Sequence, residues 1–370
     1  MEWCVHNGRG MTETNTAYVI LDRAERAIDG ASRSIRKALG LTRPPRILPM
    51  KGYGMPDRVR VLARVLEDRG GHDPSIGRWR SAYRRWATQE LPNVRVEIAW
   101  RDRRWVATTD EEGYVDLSVP APERVQPGWH TVKLRVVSDG YANVTQAAEV
   151  AVVGPKHDYG VISDIDDTII DTGVANLFSL VKSFVYELPA EKRPFPGVGE
   201  LYRALFGGPG GSGTNPFFYV SSSPLNLYEH LETLFEKTGL PPGPLLLRDW
   251  GWTRQGPSPD GGHAHKLEKA RAILEQTGDL RFVLVGDSGQ RDPELYRDLV
   301  EAHRERILAV AIRDVTPDAR DREVRELGED IEAMGVPFVS AESSDELARF
   351  FASRGLIAEH AVREVAAEAA

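Results

Sequence analysis

Four short segments carry side chains whose type and spacing allow chemistry. In the first, Asp164-Ile165-Asp166-Asp167-Thr168 crowds three carboxylates directly behind the apolar run Val161-Ile162-Ser163. Carboxylates this close repel one another, so a folded chain tolerates them only with a compensating cation or an unusual proton distribution. In the second, Ser221-Ser222-Ser223-Pro224 follows the apolar run 217–220, which sets small hydroxyl donors at a strand end. They can donate to an anion or cap the next helix, with Pro224 in its first turn. His263-Ala264-His265-Lys266 then opens a helix running to about Gln276. A lysine there opposes the helix dipole, and lysine is scarce in this chain, nine of 47 basic residues. That choice points to neutralising an anion. Two histidines without further His or Cys nearby do not make a metal site. Last, Gly286-Asp287-Ser288-Gly289-Gln290-Arg291-Asp292 puts a carboxylate behind the apolar run 282–285 and a second five positions on. Asp292 before Pro293 also has the form of a helix start.

Carboxylates from two strand ends favour a hard cation such as Mg²⁺, which keeps water and phosphate in its coordination shell. A lysine beside them offsets the charge of a phosphoryl group so that an anionic nucleophile can approach. The combined reading is phosphoryl chemistry.

These segments need a scaffold. Apolar runs at 159–163, 217–220, 245–247, 282–285, 307–312 and 336–339 alternate with helical stretches, which implies a parallel sheet covered on both faces. In such folds functional groups gather past the carboxyl ends of the strands, where three of the four segments begin, the remaining one opening a helix. Upstream the period changes to two: Val94, Val96 and Ile98; Val115, Leu117 and Val119; Val132, Leu134 and Val136. Turn signals between these runs indicate an antiparallel β-sandwich. The expected layout is an N-terminal helical segment (1–44), a β-sandwich domain (45–155), an α/β domain (156–357) and an Ala/Glu-rich tail (358–370). Helices are expected over Thr12–Leu41 and Ser75–Gln89, and KGYG (51–54) separates a strand over 46–50 from one over 59–66.

Composition excludes some classes. A net charge of −8 argues against a general nucleic-acid binder. With Cys4 alone, neither an internal disulfide nor a cysteine metal site can form. No apolar run is long enough to span a bilayer, and the opening residues lack a signal-peptide core; the expectation is a cytoplasmic protein, with either Met1 or Met11 as its start.

Set in order, Asp164-x-Asp166-x-Thr168, a strand ending in Ser221, helix-borne Lys266 and Gly286-Asp287 with Asp292 resemble the four motifs of the haloacid-dehalogenase (HAD) phosphatases, over 156–357. The resemblance implies a HAD-like doubly wound parallel sheet with a small cap, preceded by an immunoglobulin-like sandwich. It implies that Asp164 attacks phosphorus and forms an aspartyl-phosphate, while Asp166 acts as acid and then base. Ser221 and Lys266 would bind the phosphate, with Thr168 supporting the loop; Ser222 and Lys269 are the rival choices. Asp164, the Asp166 carbonyl and Asp287 would hold Mg²⁺, supported by Asp292. More narrowly, ISDIDDTI, FFYVSSSP, HK and GDSGQRDPE, joined to KGYG and a sandwich, resemble the actin-patch-protein family of phosphatidate phosphatases, which share their chemistry with the lipins. The implied reaction takes phosphatidate to diacylglycerol and phosphate. A phosphatase of protein, nucleic-acid ends or soluble esters is the alternative, and a catalytically silent scaffold the second; protein partners are not legible.

Peripheral membrane contact has three sequence candidates. Val174, Leu177, Phe178, Val181, Phe184, Val185 and Leu188 form an amphipathic stripe after the first motif. Trp250 and Trp252 begin a second insertion, and Trp79, Tyr83 and Trp86 interleave with Arg78, Arg80, Arg84 and Arg85. Each fits an anionic interface or packing against the protein body.

Overall fold

The computed structural model describes residues 43–68, 90–166, 168–169, 195–211, 213–248, 261–316 and 320–369. The helices expected over Thr12–Leu41 and Ser75–Gln89, both insertions after the first motif and after residue 248, and the membrane-facing candidates they carry, lie outside these residues.

Among the described residues, seven strands build the first sheet: β1 (Pro45–Met55), β2 (Arg58–Glu67), β3 (Arg95–Trp100), β4 (Arg103–Thr108), β5 (Tyr114–Pro120), β6 (Gly128–Val136) and β7 (Thr145–Val152), in the order β4-β3-β6-β7-β1-β2-β5. The two-residue alternation explains the packing. Val59, Val61, Ala63 and Val65 of β2, Val96 and Ile98 of β3, and Val132, Leu134 and Val136 of β6 point to one core. Two corrections to the sequence expectation follow. The ladder is not wholly antiparallel, because β1 pairs antiparallel with β2 and, at Gly52–Gly54, parallel with β7. KGYG therefore lies within β1 instead of separating two strands. A bulge between Met50 and Tyr53 turns the strand there. A Cβ at residue 52 would stand 2.2 Å from the Arg60 carbonyl oxygen and 2.8 Å from Val150, so only glycine lets three strands meet.

The second sheet has six parallel strands, β8 (Gly160–Ser163), β9 (Phe217–Pro224), β10 (Leu245–Arg248), β11 (Phe282–Asp287), β12 (Ile307–Arg313) and β13 (Phe338–Ala341), ordered β10-β9-β8-β11-β12-β13. The helices are α1 (Val198–Gly207), α2 (Tyr228–Thr238), α3 (Gly261–Gln276), α4 (Asp292–His303), α5 (Asp321–Ala333), α6 (Ser344–Ser353) and α7 (Glu359–Ala369). From β8 the chain winds outward through β9 and β10, then returns to β11 on the other side of β8. The switch point thus lies between β8 and β11, the place at which such folds put their functional groups.

The Ala/Glu-rich end is not a tail. It forms α7, whose Ala361 and Val365 are buried against the parallel-sheet domain. The outer faces of β1 and β2 dock on that same domain. Leu48, Met50, Tyr53 and Leu62 join its core, and Tyr53 meets Phe218 edge-on with ring centroids 5.4 Å apart.

Candidate active site

The sheet delivers the four segments to one place. Asp164 directly follows β8, and its backbone N–H donates to the Val285 carbonyl of β11, continuing the parallel ladder into the site. Asp287 ends β11, and Asp292 opens α4 five residues later. Carboxylate oxygens of Asp164, Asp287 and Asp292 lie within 4.8 Å of one another, all three residues buried. Lys266, on the second turn of α3, is 5% exposed and reaches in from the side. Its Nζ stands 2.7 Å from Asp164 Oδ1 and 2.8 Å from Asp292 Oδ1.

Charge is the governing fact of this cluster. Burial raises the Asp164 carboxyl well above the usual carboxylate range; Lys266 opposes that rise, while Asp292, Asp166 and Asp287 add to it. Burial alone would depress the Lys266 ammonium, but Asp164 and Asp292 outweigh it and lift it above its ordinary value. One ammonium shared by two members of a three-carboxylate cluster leaves negative charge in a buried space. A hard divalent cation is the conventional remedy, and this all-oxygen donor set fits Mg²⁺.

Asp166 is oriented differently. Its Oδ2 accepts from Ser221 Oγ at 2.9 Å and Ser223 Oγ at 3.4 Å. Ser221 lies inside β9, not past its end, and its Oγ also accepts from the Ser223 N–H at 2.9 Å. Ser222 is half-buried between them. Thr168 is buried next to the site, its carbonyl accepting from Arg313 Nε at 3.2 Å. Arg313 also donates to Ser344 Oγ at 2.8 Å and the Glu342 carbonyl at 3.1 Å, so it ties the first motif to the start of α6.

Two residues were missed in the sequence. Gln290 Nε2 donates to Asp164 Oδ2 and to the Asp166 carbonyl, both at 3.3 Å, while its Oε1 accepts from Lys266 at 3.1 Å. Its amide therefore bridges the two oxygens expected to ligate the metal. Its own backbone N–H donates to Asp287 Oδ1 at 2.8 Å, closing the turn that places it there. Ser223 was overlooked although the signal existed, since residues two apart on a strand share a face with Ser221. Gly286 permits the close approach of Asp292: a Cβ at that position would lie 2.7 Å from Asp292 Cβ and Oδ2.

Comparison with known proteins converges on this site. Residues 159–314, which contain Asp164, Asp166, Ser221, Ser223, Lys266, Asp287, Gln290 and Asp292, match the family model described as Phosphatidate phosphatase APP1, catalytic domain. Phosphatidate phosphatase APP1 of Saccharomyces cerevisiae is 29% identical over 235 residues, covering 61% of this chain and 39% of its own length. An uncharacterized protein of Schizosaccharomyces pombe is 27% identical over 218 residues, covering 57% of this chain and 34% of its own. The chain thus spans well under half the length of these relatives. Among solved structures, a carbohydrate acetylesterase from Xanthomonas citri aligns over 81% of this chain and 69% of its own, with 12% identity and a TM-score of 0.30, too low to bear on fold or function.

Proposed function

From the match of residues 159–314 to the phosphatidate phosphatase APP1 catalytic-domain model, we propose that this chain is a Mg²⁺-dependent phosphatase of HAD type acting on phosphatidate or a related anionic lipid phosphomonoester. The observation that carries the proposal is the buried set Asp164, Asp287 and Asp292 with Lys266 in contact with two of them. The parallel order around β8 supports the HAD-like reading of the fold, and the doubly paired β1 supports an immunoglobulin-like reading of the first domain.

Asp164 is the nucleophile. One carboxylate oxygen attacks phosphorus, a P–O bond forms to Asp164, and the bond to the leaving alkoxide breaks. Asp166 gives its proton to that alkoxide, so diacylglycerol leaves neutral. Asp166 then takes a proton from water, whose oxygen attacks phosphorus and releases phosphate and free Asp164. The hydrogen bonds from Ser221 and Ser223 hold the Asp166 carboxyl in one orientation through both steps. Lys266 offsets the phosphoryl charge. Mg²⁺, when bound by Asp164, Asp287 and the Asp166 carbonyl, supplies the remaining neutralisation. Asp292 keeps Lys266 and the Asp287 N–H in place.

Phosphate release from phosphatidate in mixed micelles, set against a panel of soluble phosphomonoesters and phosphopeptides, tests the substrate. Faster turnover of the soluble compounds would move the reading to a general phosphomonoesterase. Asp164→Asn should leave a folded protein without turnover, and chelation should do the same until Mg²⁺ is restored. Activity indifferent to both changes would remove this mechanism, whereas an inert wild-type chain that Asp164→Asn leaves unchanged in behaviour would return the chain to a binding role.

A further inference from the structure

One buried arginine of the first domain reaches into the catalytic segment. Arg64 lies on the outer face of β2, two residues beyond Leu62, and is 3% exposed. Its Nε donates to the Glu112 carbonyl at 2.9 Å and its Nη2 to Glu90 Oε1 at 3.0 Å, so the guanidinium is fixed within its own domain. The remaining arm, Nη1, leaves that domain and donates to Asn226 Oδ1.

Asn226 occupies a single 3₁₀ turn, Leu225–Leu227, that directly follows the end of β9. The strand end it closes carries Ser221 and Ser223, the two hydroxyls that hold Asp166. Leu225 and Leu227 are buried on either side of Asn226. The neighbouring residues are tied across the same interface: the Lys51 N–H donates to Tyr228 Oη at 2.9 Å, and Arg46 and Lys51 pair with Glu229 and Glu232. Those pairs are partly exposed and worth little singly. The Arg64 contact is different in kind, because a buried guanidinium with three fixed acceptors has one geometry.

We infer that Arg64 and Asn226 are positioning residues for the reaction: the first domain sets the serine-bearing end of β9, and through Ser221 and Ser223 the orientation of Asp166. The inference rests on the functional reading above and extends it to Arg64, a residue outside the matched catalytic segment. It makes the all-β domain a working part of the active site.

The test uses the full chain. Asn226→Ala removes the acceptor without cutting into either core, whereas Asn226→Asp keeps an oxygen facing Arg64. Since a displacement of about 1 Å at a catalytic group can cost ~100-fold, Asn226→Ala should lower kcat by about tenfold or more with KM nearly unchanged. Asn226→Asp should recover most of that loss. Asp116→Asn, which breaks the Arg60 pair inside the first domain, serves as the control for general loosening and should leave kcat as it was. A folded Asn226→Ala protein with wild-type kcat would overturn the inference and leave the functional reading intact. A wild-type chain that releases no phosphate from any ester overturns the functional reading instead. Amide hydrogen exchange then decides the anchor independently: faster exchange confined to residues 217–227 in Asn226→Ala supports it, and an unchanged pattern overturns it.

Discussion

Asp166 and Asp164 are two residues apart yet live in different surroundings, and the difference follows from the strand geometry. Asp164 faces Lys266 and the other carboxylates, while Asp166 faces two serine hydroxyls. Asp292 completes the surroundings of Asp164, and Gly286 lets it pack against the β11 backbone. Gly286→Ala should push Asp292 away, loosen Lys266 and cut kcat by roughly 100-fold, measurable as phosphate release by a protein with near-native circular dichroism. His265, the neighbour of Lys266, gives a pH effect on stability. Burial, reinforced by Lys269, lowers its imidazole to about 4, against about 6.5 in an unfolded chain. Between those values the unfolded state binds more protons, so His265 withdraws stability as pH falls from 6.5 towards 4 and has no effect above that window. His265→Gln should flatten the urea midpoint across that range; an unchanged slope would show that the imidazole titrates elsewhere. At this scale the acids and the lysine were legible, because carboxylates behind buried runs have few structural reasons to exist. Gln290 was not, since an amide three positions after an aspartate is ordinary turn chemistry until the turn brings it back over Asp164.

Strands buried on both faces were easy to read and strands with weak contrast were not. β11 and β12 are continuous apolar runs, and each lies within a residue or two of its expected span. β4, Arg103–Thr108, escaped notice because most of its side chains are exposed and its inward residues Trp105 and Ala107 are only half-buried. β7 escaped because alanines carry its pattern and because Ala151 and Val153 pack against the second domain, erasing the alternation. The C-terminal helix was undervalued for a similar reason: Ala361 and Val365 are modest residues, yet both are buried. Gly197, at the start of α1, has its Cβ position 2.9 Å from the Val365 carbonyl oxygen, so α7 and α1 touch at backbone distance. Val365→Asp should therefore bury an unpaired carboxylate and lower the melting temperature by more than 10 °C, since such burial costs several kcal/mol and 1 kcal/mol moves the midpoint of a domain this size by roughly 2–4 °C. A shift within a degree or two would mean that α7 can leave without consequence.

Across the whole molecule, two apolar cores meet at one interface, and residues of β1 and β2 belong to the core of the parallel-sheet domain. Domains joined in this way unfold together. Calorimetry should show a single transition, and Phe218→Ala, which removes the ring that Tyr53 packs against, should cost about 3–5 kcal/mol and separate the transition into two. Two resolved transitions in the wild-type chain would count against a shared core. No helix among the described residues is long and apolar enough to cross a membrane.

The docking of β1 and β2 also has a consequence for biosynthesis. During translation the first domain emerges well before Phe218 and its neighbours have left the ribosome, so Tyr53, Leu48, Met50 and Leu62 face water on the nascent chain until the rest arrives. β8 waits too, since its partners β9 and β11 are made later, with β10 and α3 between them. Slow codons or a stalled ribosome between the two domains would prolong the life of a greasy, half-built intermediate, the stage at which this chain most needs a chaperone.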